Sequence, residues 1–228
     1  MTTRLGSALR RVLGWQDNRE PGSLNHISLG SHCHMAELLK STGLRTWSGP
    51  FDWIFSNPGM VLDCLKDDFA LLLDRTELES TKLEERPRPD ECRGRHRGYA
   101  ERHLIPFVFN HHDPAGDAAD YAFLERGVGR LRRALSMAGT ENRFYLMASV
   151  PVEDAIVQSI CDVLARHPSR NHLTFLQIAE NSQAAAIESR DLGRPDLNWL
   201  RVAARSASVG LRFSDPSADA LIARLPKA

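Results

Sequence analysis

Cys33 stands where an apolar run, Ile27-Ser28-Leu29, passes through Gly30 into a helical pattern opening near Ser31-His32-Cys33. The unpaired N–H groups and the dipole at a helix start favour thiolate over thiol. They can bring a cysteine from about 8.5 toward roughly 3.5–7.5. Such a thiol becomes a nucleophile when an imidazole takes its proton and a third group orients that imidazole. His111 and His112 supply imidazoles. Adjacent residues on an extended segment point to opposite sides, so one of the two serves, and the residue types leave open which. Asp52, in Gly49-Pro50-Phe51-Asp52-Trp53, and Asp113, beside the histidines, are the candidate orienters. The backbone N–H groups of the helix opening at Cys33 are candidate oxyanion donors. The chemistry is thiol acylation, as a hydrolase or an acyl transferase. The substrate class (peptide, acyl or glycan) stays open.

Other readings compete on the same residues. A cysteine on a half-apolar helix also serves as a small buried hydrophobe, and His111-His112-Asp113-Pro114 also suits a loop that caps the next helix. The rival function is a non-catalytic module whose same side chains line a pocket for a glycan or a nucleotide-sugar. His32, Cys33, His34 and the His111/His112 pair are acceptable zinc donors. Their spacing matches no Cys-x-x-Cys or His-Glu-x-x-His pattern, so a zinc-binding protein is kept only as a further alternative and no metal and no cofactor is expected. Leu29-Gly30-Ser31 has one glycine where a dinucleotide fingerprint needs several. Ser28 and Ser31 lack a Gly-x-Ser-x-Gly elbow.

The positioning elements follow from periodicity. A strand is expected around His26–Leu29, then a helix from about Ser31 to Ser41 stopped by Gly43. Trp47–Ile54 reads as an aromatic turn. Ser56-Asn57-Pro58 opens a helix whose apolar positions continue from Met60 to Leu73. From Glu77 to Gly98 charges dominate and prolines alternate with arginines, the composition of a solvated loop or a lid over the site. Leu104–Phe109 reads as a strand with Pro106 at an edge or bulge. A helix over Asp117–Met137, a strand over Arg143–Val150 and a helix over Val152–Arg166 follow. Strands are then expected at His172–Ala179, Leu197–Ala203 and Leu211–Phe213, before a last helix opened by Ser214-Asp215-Pro216 and reaching Leu225. Strands alternating with helices imply an α/β fold around a largely parallel sheet. In such sheets, active groups gather beyond the carboxyl ends of strands. Cys33 and the histidines both fall after expected strands. Residues 23–228 are expected to form one domain behind an N-terminal extension, 1–22, ended by Pro21-Gly22.

Bulk composition narrows the classes. At 228 residues, with 42% hydrophobic and 25% charged residues, the chain is of ordinary globular type. Lys+Arg and Asp+Glu balance at 29 each, so no overall field draws nucleic acid. No apolar stretch approaches the roughly 20 residues of a transmembrane segment. Four scattered cysteines and the lack of a secretory pattern point to reduced thiols in the cytoplasm. Leu5, Leu9, Val12 and Leu13, with Arg4, Arg10, Arg11 and Trp15 around them, form a short basic amphipathic pattern. Residues 4–15 are therefore a candidate for weak membrane or partner docking.

Several segments together resemble a known family. Ile27-Ser28-Leu29-Gly30-Ser31-His32-Cys33, Ser48-Gly49-Pro50-Phe51-Asp52-Trp53-Ile54, Val61-Leu62-Asp63-Cys64-Leu65 and Phe109-Asn110-His111-His112-Asp113 are similar to a bacterial family of unknown function described as papain-like cysteine peptidases. The resemblance implies Cys33 as nucleophile and His111 or His112 as its partner, with an α+β papain-like fold as the alternative architecture. The chain has no Cys-Gly-Ser-Cys-Trp surround and no glutamine shortly before Cys33.

Overall fold

The computed structural model describes residues 23–30 and 33–227. The extension 1–22, with its amphipathic pattern, and the pair Ser31-His32 lie outside the described residues. The architecture is α/β. Strand β1 (Leu24–Ser28) leads to helices α1 (Cys33–Ser41) and α2 (Pro58–Lys66), and short strands β2 (Leu78–Ser80) and β3 (Gly94–His96) follow. Next come α3 (Arg97–His103), α4 (Ala118–Ser136), β4 (Glu141–Ala148), α5 (Asp154–Leu164), β5 (Arg170–Ala179), β6 (Ala186–Arg190), β7 (Leu197–Ala203) and α6 (Ser217–Ile222). The main sheet has the order β1-β4-β5-β7-β6. All its neighbours are parallel except β6, which runs antiparallel to β7.

Side chains alternate across a strand, and the two apolar clusters obey that rule. Phe144, Leu146, Leu173, Phe175 and Trp199 face α2, α4 and α5. Tyr145, Met147, Leu176, Ile178 and Val202 face α1 and α6. The sheet is thus a middle layer with helices on both sides. Parallel strands need a crossover segment, and α5 supplies the one between β4 and β5. The chain between β1 and β4 is longer and carries the 44–56 turn, α2 and the segment that bears the histidines.

Helix starts follow their capping chemistry. Asn57 accepts from Met60 N with Pro58 at the first turn, and Asp117 accepts from Ala119 N and Asp120 N. Four expectations are corrected. The helix expected through Leu73 stops at Lys66, because Asp68 and Phe69 take left-handed conformations (φ 51° and 63°). Phe69 N then bonds Cys64 O, and the Phe69 ring is buried against Phe51. The charged 77–98 stretch is more than a loop, since β2 and β3 pair within it and His96 caps α3. Leu104–Phe109 is no strand. Pro106 has no N–H to give a ladder, and only Phe109 makes bridges, to Ile54 and Gly94. The histidines therefore do not follow a strand of the main sheet. Leu211–Phe213 is likewise reduced to a single bridge, Ser208 to Phe213, and β6 had no clear signal in the sequence.

Candidate active site

The exit from β1 through Leu29 and Gly30 is tightly determined. Leu29 N bonds Tyr145 O and Met147 N bonds Gly30 O, so the chain leaves the sheet alongside β4. Gly30 has φ +95°, and a Cβ there would lie 2.2 Å from Ser56 Oγ. Only glycine serves on both counts. Cys33 is the first residue of α1, at the carboxyl end of a parallel strand, where the α/β rule places chemistry. Its neighbour His34 anchors this first turn. Nδ1 lies 2.9 Å from Ser208 Oγ, Nε2 lies 2.7 Å from Asp219 Oδ1, and the ring meets Phe213 edge-on.

The electrostatics of Cys33 differ from what a helix start alone implies. The residue is 5% exposed, and burial pushes its thiol up to about 11. Its own backbone N–H works in the opposite direction, while the charges of Asp52 and Glu37 add to the rise. Desolvation and two carboxylates outweigh the helix start, so Cys33 rests as a thiol. Among the described residues its Sγ makes no hydrogen bond to either histidine or to any other side chain.

The two histidines turn to different partners. His111 is exposed and turns to the charged loop, with Nδ1 3.0 Å from Asp90 O and Nε2 2.9 Å from Asn110 Nδ2. His112 turns inward. Its Nδ1 lies 2.7 Å from Asp120 Oδ1, and its ring stacks on Phe123 with centroids 4.8 Å apart and planes inclined at 21°. The Asp120 carboxylate is itself held, with Oδ2 accepting from Asp113 N at 2.7 Å and Arg93 3.8 Å away. Burial works to raise the Asp120 carboxyl. The Asp113 N–H, His112 and Arg93 outweigh it and hold the group below the usual carboxylate range. Among the described residues His112 Nε2 has no partner. The residue borders a cavity of about 20 Å³ walled by Pro50, Trp53, Phe109 and Phe123, room for about one water.

Neither aspartate singled out in the sequence bonds a histidine. Asp52 is 1% exposed, accepting from Arg45 Nη1 at 2.5 Å and from Gly49 N at 3.1 Å. Burial raises its carboxyl to about 6 against the pull of Arg45, Gly49 N–H and Arg130. Arg45 also covers Trp53, its guanidinium carbon 4.9 Å from the ring centroid. Asp113 accepts from Ser80 Oγ and Gly116 N, tying the β2–β3 hairpin to the start of α4. The carboxylate that bonds His112 is instead Asp120, at the third position of α4. Acidic residues there read as helix capping, and no spacing rule links it to His112 from sequence.

The structure thus joins Cys33 to Asp52 through charge, and His112 to Asp120 through a hydrogen bond. Both pairs border the Gly49–Ile54 turn. Among the described residues no three His, Cys, Asp or Glu side chains converge as a metal site, and all four cysteines are free. No helix of the described residues is long and apolar enough to cross a membrane.

Residues 24–115 match the model of a family described as "Putative papain-like cysteine peptidase". That span holds Cys33, Asp52, His111, His112 and Asp113, and ends just before Asp120. No curated protein and no solved structure matches the chain.

Proposed function

From that family match and the state of His112, we propose that the chain is a cysteine-dependent hydrolase. Cys33 is the nucleophile and His112, oriented by Asp120, is its general base. The observation that carries the reading is the 2.7 Å bond from His112 Nδ1 to Asp120, which leaves Nε2 as the free nitrogen. The bond selects the tautomer with a proton on Nδ1 and a lone pair on Nε2, and the carboxylate stabilises the imidazolium formed when Nε2 gains a proton.

In this reading the Cys33 proton passes to His112 Nε2 and the thiolate attacks the carbonyl carbon of an acyl substrate. The first N–H groups of α1 receive the oxyanion. Collapse breaks the bond to the leaving group, which takes the proton from His112. Water, deprotonated by the same ring, then cleaves the thioester and returns the free thiol. Because Cys33 is buried and unbonded, the reaction requires the Gly49–Ile54 turn to shift when substrate enters.

A second reading has its own support. The 5% exposure of Cys33 and its raised thiol suit a core cysteine in a non-catalytic module. Iodoacetamide labelling near pH 7, resolved by peptide mass spectrometry, separates the two. The hydrolase reading expects Cys33 to label faster than Cys92, the least buried of the four cysteines, and to slow in His112→Ala and Asp120→Asn. Labelling of Cys33 slower than Cys92 and indifferent to both substitutions sinks it.

A further inference from the structure

The half of the sheet farthest from Cys33 carries an open cleft. One face of β6 and β7 packs through Ile187, Leu200 and Val202 into the cluster under α1 and α6. The other face, beyond the reach of α5, opens into a cleft of about 580 Å³. That volume falls within the roughly 300–1,000 Å³ of small-molecule sites. Strand register orders its floor into three cross-strand rungs, since side chains of paired residues share a face. Trp199 and Arg190 form the first, beside the fully buried Phe175; Gln177, Arg201 and Glu188 form the second, and Ala179, Ala203 and Ala186 the third. Over the alanine rung the cleft continues into a hollow of about 230 Å³ that shares Glu188 and Arg201.

The middle rung is poised but unspent. Arg201 and Glu188 oppose each other directly, and among the described residues neither has an ion-pair or hydrogen-bond partner. Gln177 gives both amide hydrogens to Ala148 O and Val150 O, which leaves its Oε1 free to accept. In the first rung the indole N–H of Trp199 is buried without a partner, an unsatisfied donor of the kind native folds rarely keep. Arg190 covers that ring at 5.0 Å and is pinned by both oxygens of Asp154.

We propose that this cleft binds a neutral saccharide, with Arg201, Glu188 and Gln177 taking neighbouring hydroxyls and the alanine rung receiving the C–H face of the ring. The charge balance favours this ligand. Asp154 cancels Arg190 and Glu188 cancels Arg201, so the floor offers donors and acceptors side by side without net charge. A phosphate or carboxylate on Arg201 would meet Glu188 at short range. A hydroxyl both donates and accepts and suits both groups. The site is independent of the hydrolase reading. Cys33 follows β1, three strand spacings from β7, on the order of 14 Å across the sheet.

The test is a titration of the ¹⁵N-labelled full chain with cellobiose, maltose and N,N′-diacetylchitobiose. It is read at the Trp199 indole resonance, assigned through Trp199→Phe. Inorganic phosphate and an extended tetrapeptide, Ac-Val-Thr-Val-Thr-NH₂, serve as separate arms. At least one disaccharide is expected to shift the resonance saturably, with affinity about tenfold weaker in Arg201→Ala and in Glu188→Gln, the loss of one charged hydrogen bond. Both are exposed positions, so these variants keep the fold, and Cys33→Ala is expected to bind as the parent does. No response to any disaccharide overturns the proposal. So does phosphate binding that strengthens in Glu188→Gln, which marks an anion site. Peptide binding unaffected by Arg201→Ala, with no saccharide response, also overturns it and marks strand addition at the β6 edge.

Discussion

His112 Nδ1 lies 2.7 Å from Asp120 Oδ1, while the other oxygen of that carboxylate takes the Asp113 N–H. The backbone bond fixes the carboxylate, and the carboxylate fixes the ring, so the direction of Nε2 is determined before any substrate arrives. Asp120→Asn keeps the size of the side chain and one acceptor oxygen but removes the charge opposite the imidazolium. Thioester or activated-ester hydrolysis, followed with p-nitrophenyl acetate, is expected to fall about 10²-fold with little change in Tm. Unchanged turnover would remove Asp120 from the mechanism.

The pH dependence of Cys33 alkylation distinguishes a base-assisted thiol from an isolated one. With the thiol pushed up to about 11, the rate in His112→Ala is expected to rise with pH through 9 and 10 without a plateau near neutrality. The parent is expected to show an added limb near neutral pH from the histidine-assisted thiolate. Superimposable profiles would leave Cys33 a core residue.

Asp52 carries a stability prediction of definite sign. Its carboxyl is raised to about 6 in the fold from the ordinary 3.8, so the native state binds more protons than the unfolded state between those values. Its contribution to stability is full below about pH 4 and is lost as pH rises through about 6. Compared with Asp52→Asn, the parent is expected to lose roughly 2–3 kcal/mol across that window, measured by urea unfolding at fixed ionic strength. Arg45→Ala, which strands the buried carboxylate, is expected to cost about 3–5 kcal/mol near neutral pH.

Gly30→Ala tests the path into α1. The φ of +95° and the 2.2 Å approach to Ser56 Oγ act together, for an expected loss of roughly 2–5 kcal/mol. Adding Ser56→Gly removes the overlap but not the backbone strain, so the double variant is expected to recover only part of the loss in Cm.

Much of this arrangement is legible in residue order. The apolar period of Leu197–Ala203 is observed as a strand with those bounds, and Asn57-Pro58 and Asp117 begin helices where their capping chemistry says they must. Other features leave no local trace. Pro106 and the apolar residues around it look like a strand, yet whether a neighbour pairs with them depends on what the fold brings alongside. Asp120 reads as a helix-cap acid, because nothing in sequence says that His112 folds back onto it. The strand β6 has an exposed, mixed pattern that no alternation rule detects, and its partner β7 defines it.

The sequence by itself determined the α/β alternation and the placing of Cys33 at a helix start after a strand. These depend on periodicities of two and 3.6 residues and on caps, all local properties. Only the tertiary structure decided that Cys33 is a buried thiol, that Asp52 serves Arg45 while Asp120 serves His112, and that one face of β6 and β7 stays open. Each of these turns on desolvation or on groups far apart in the chain, and a local pattern carries neither.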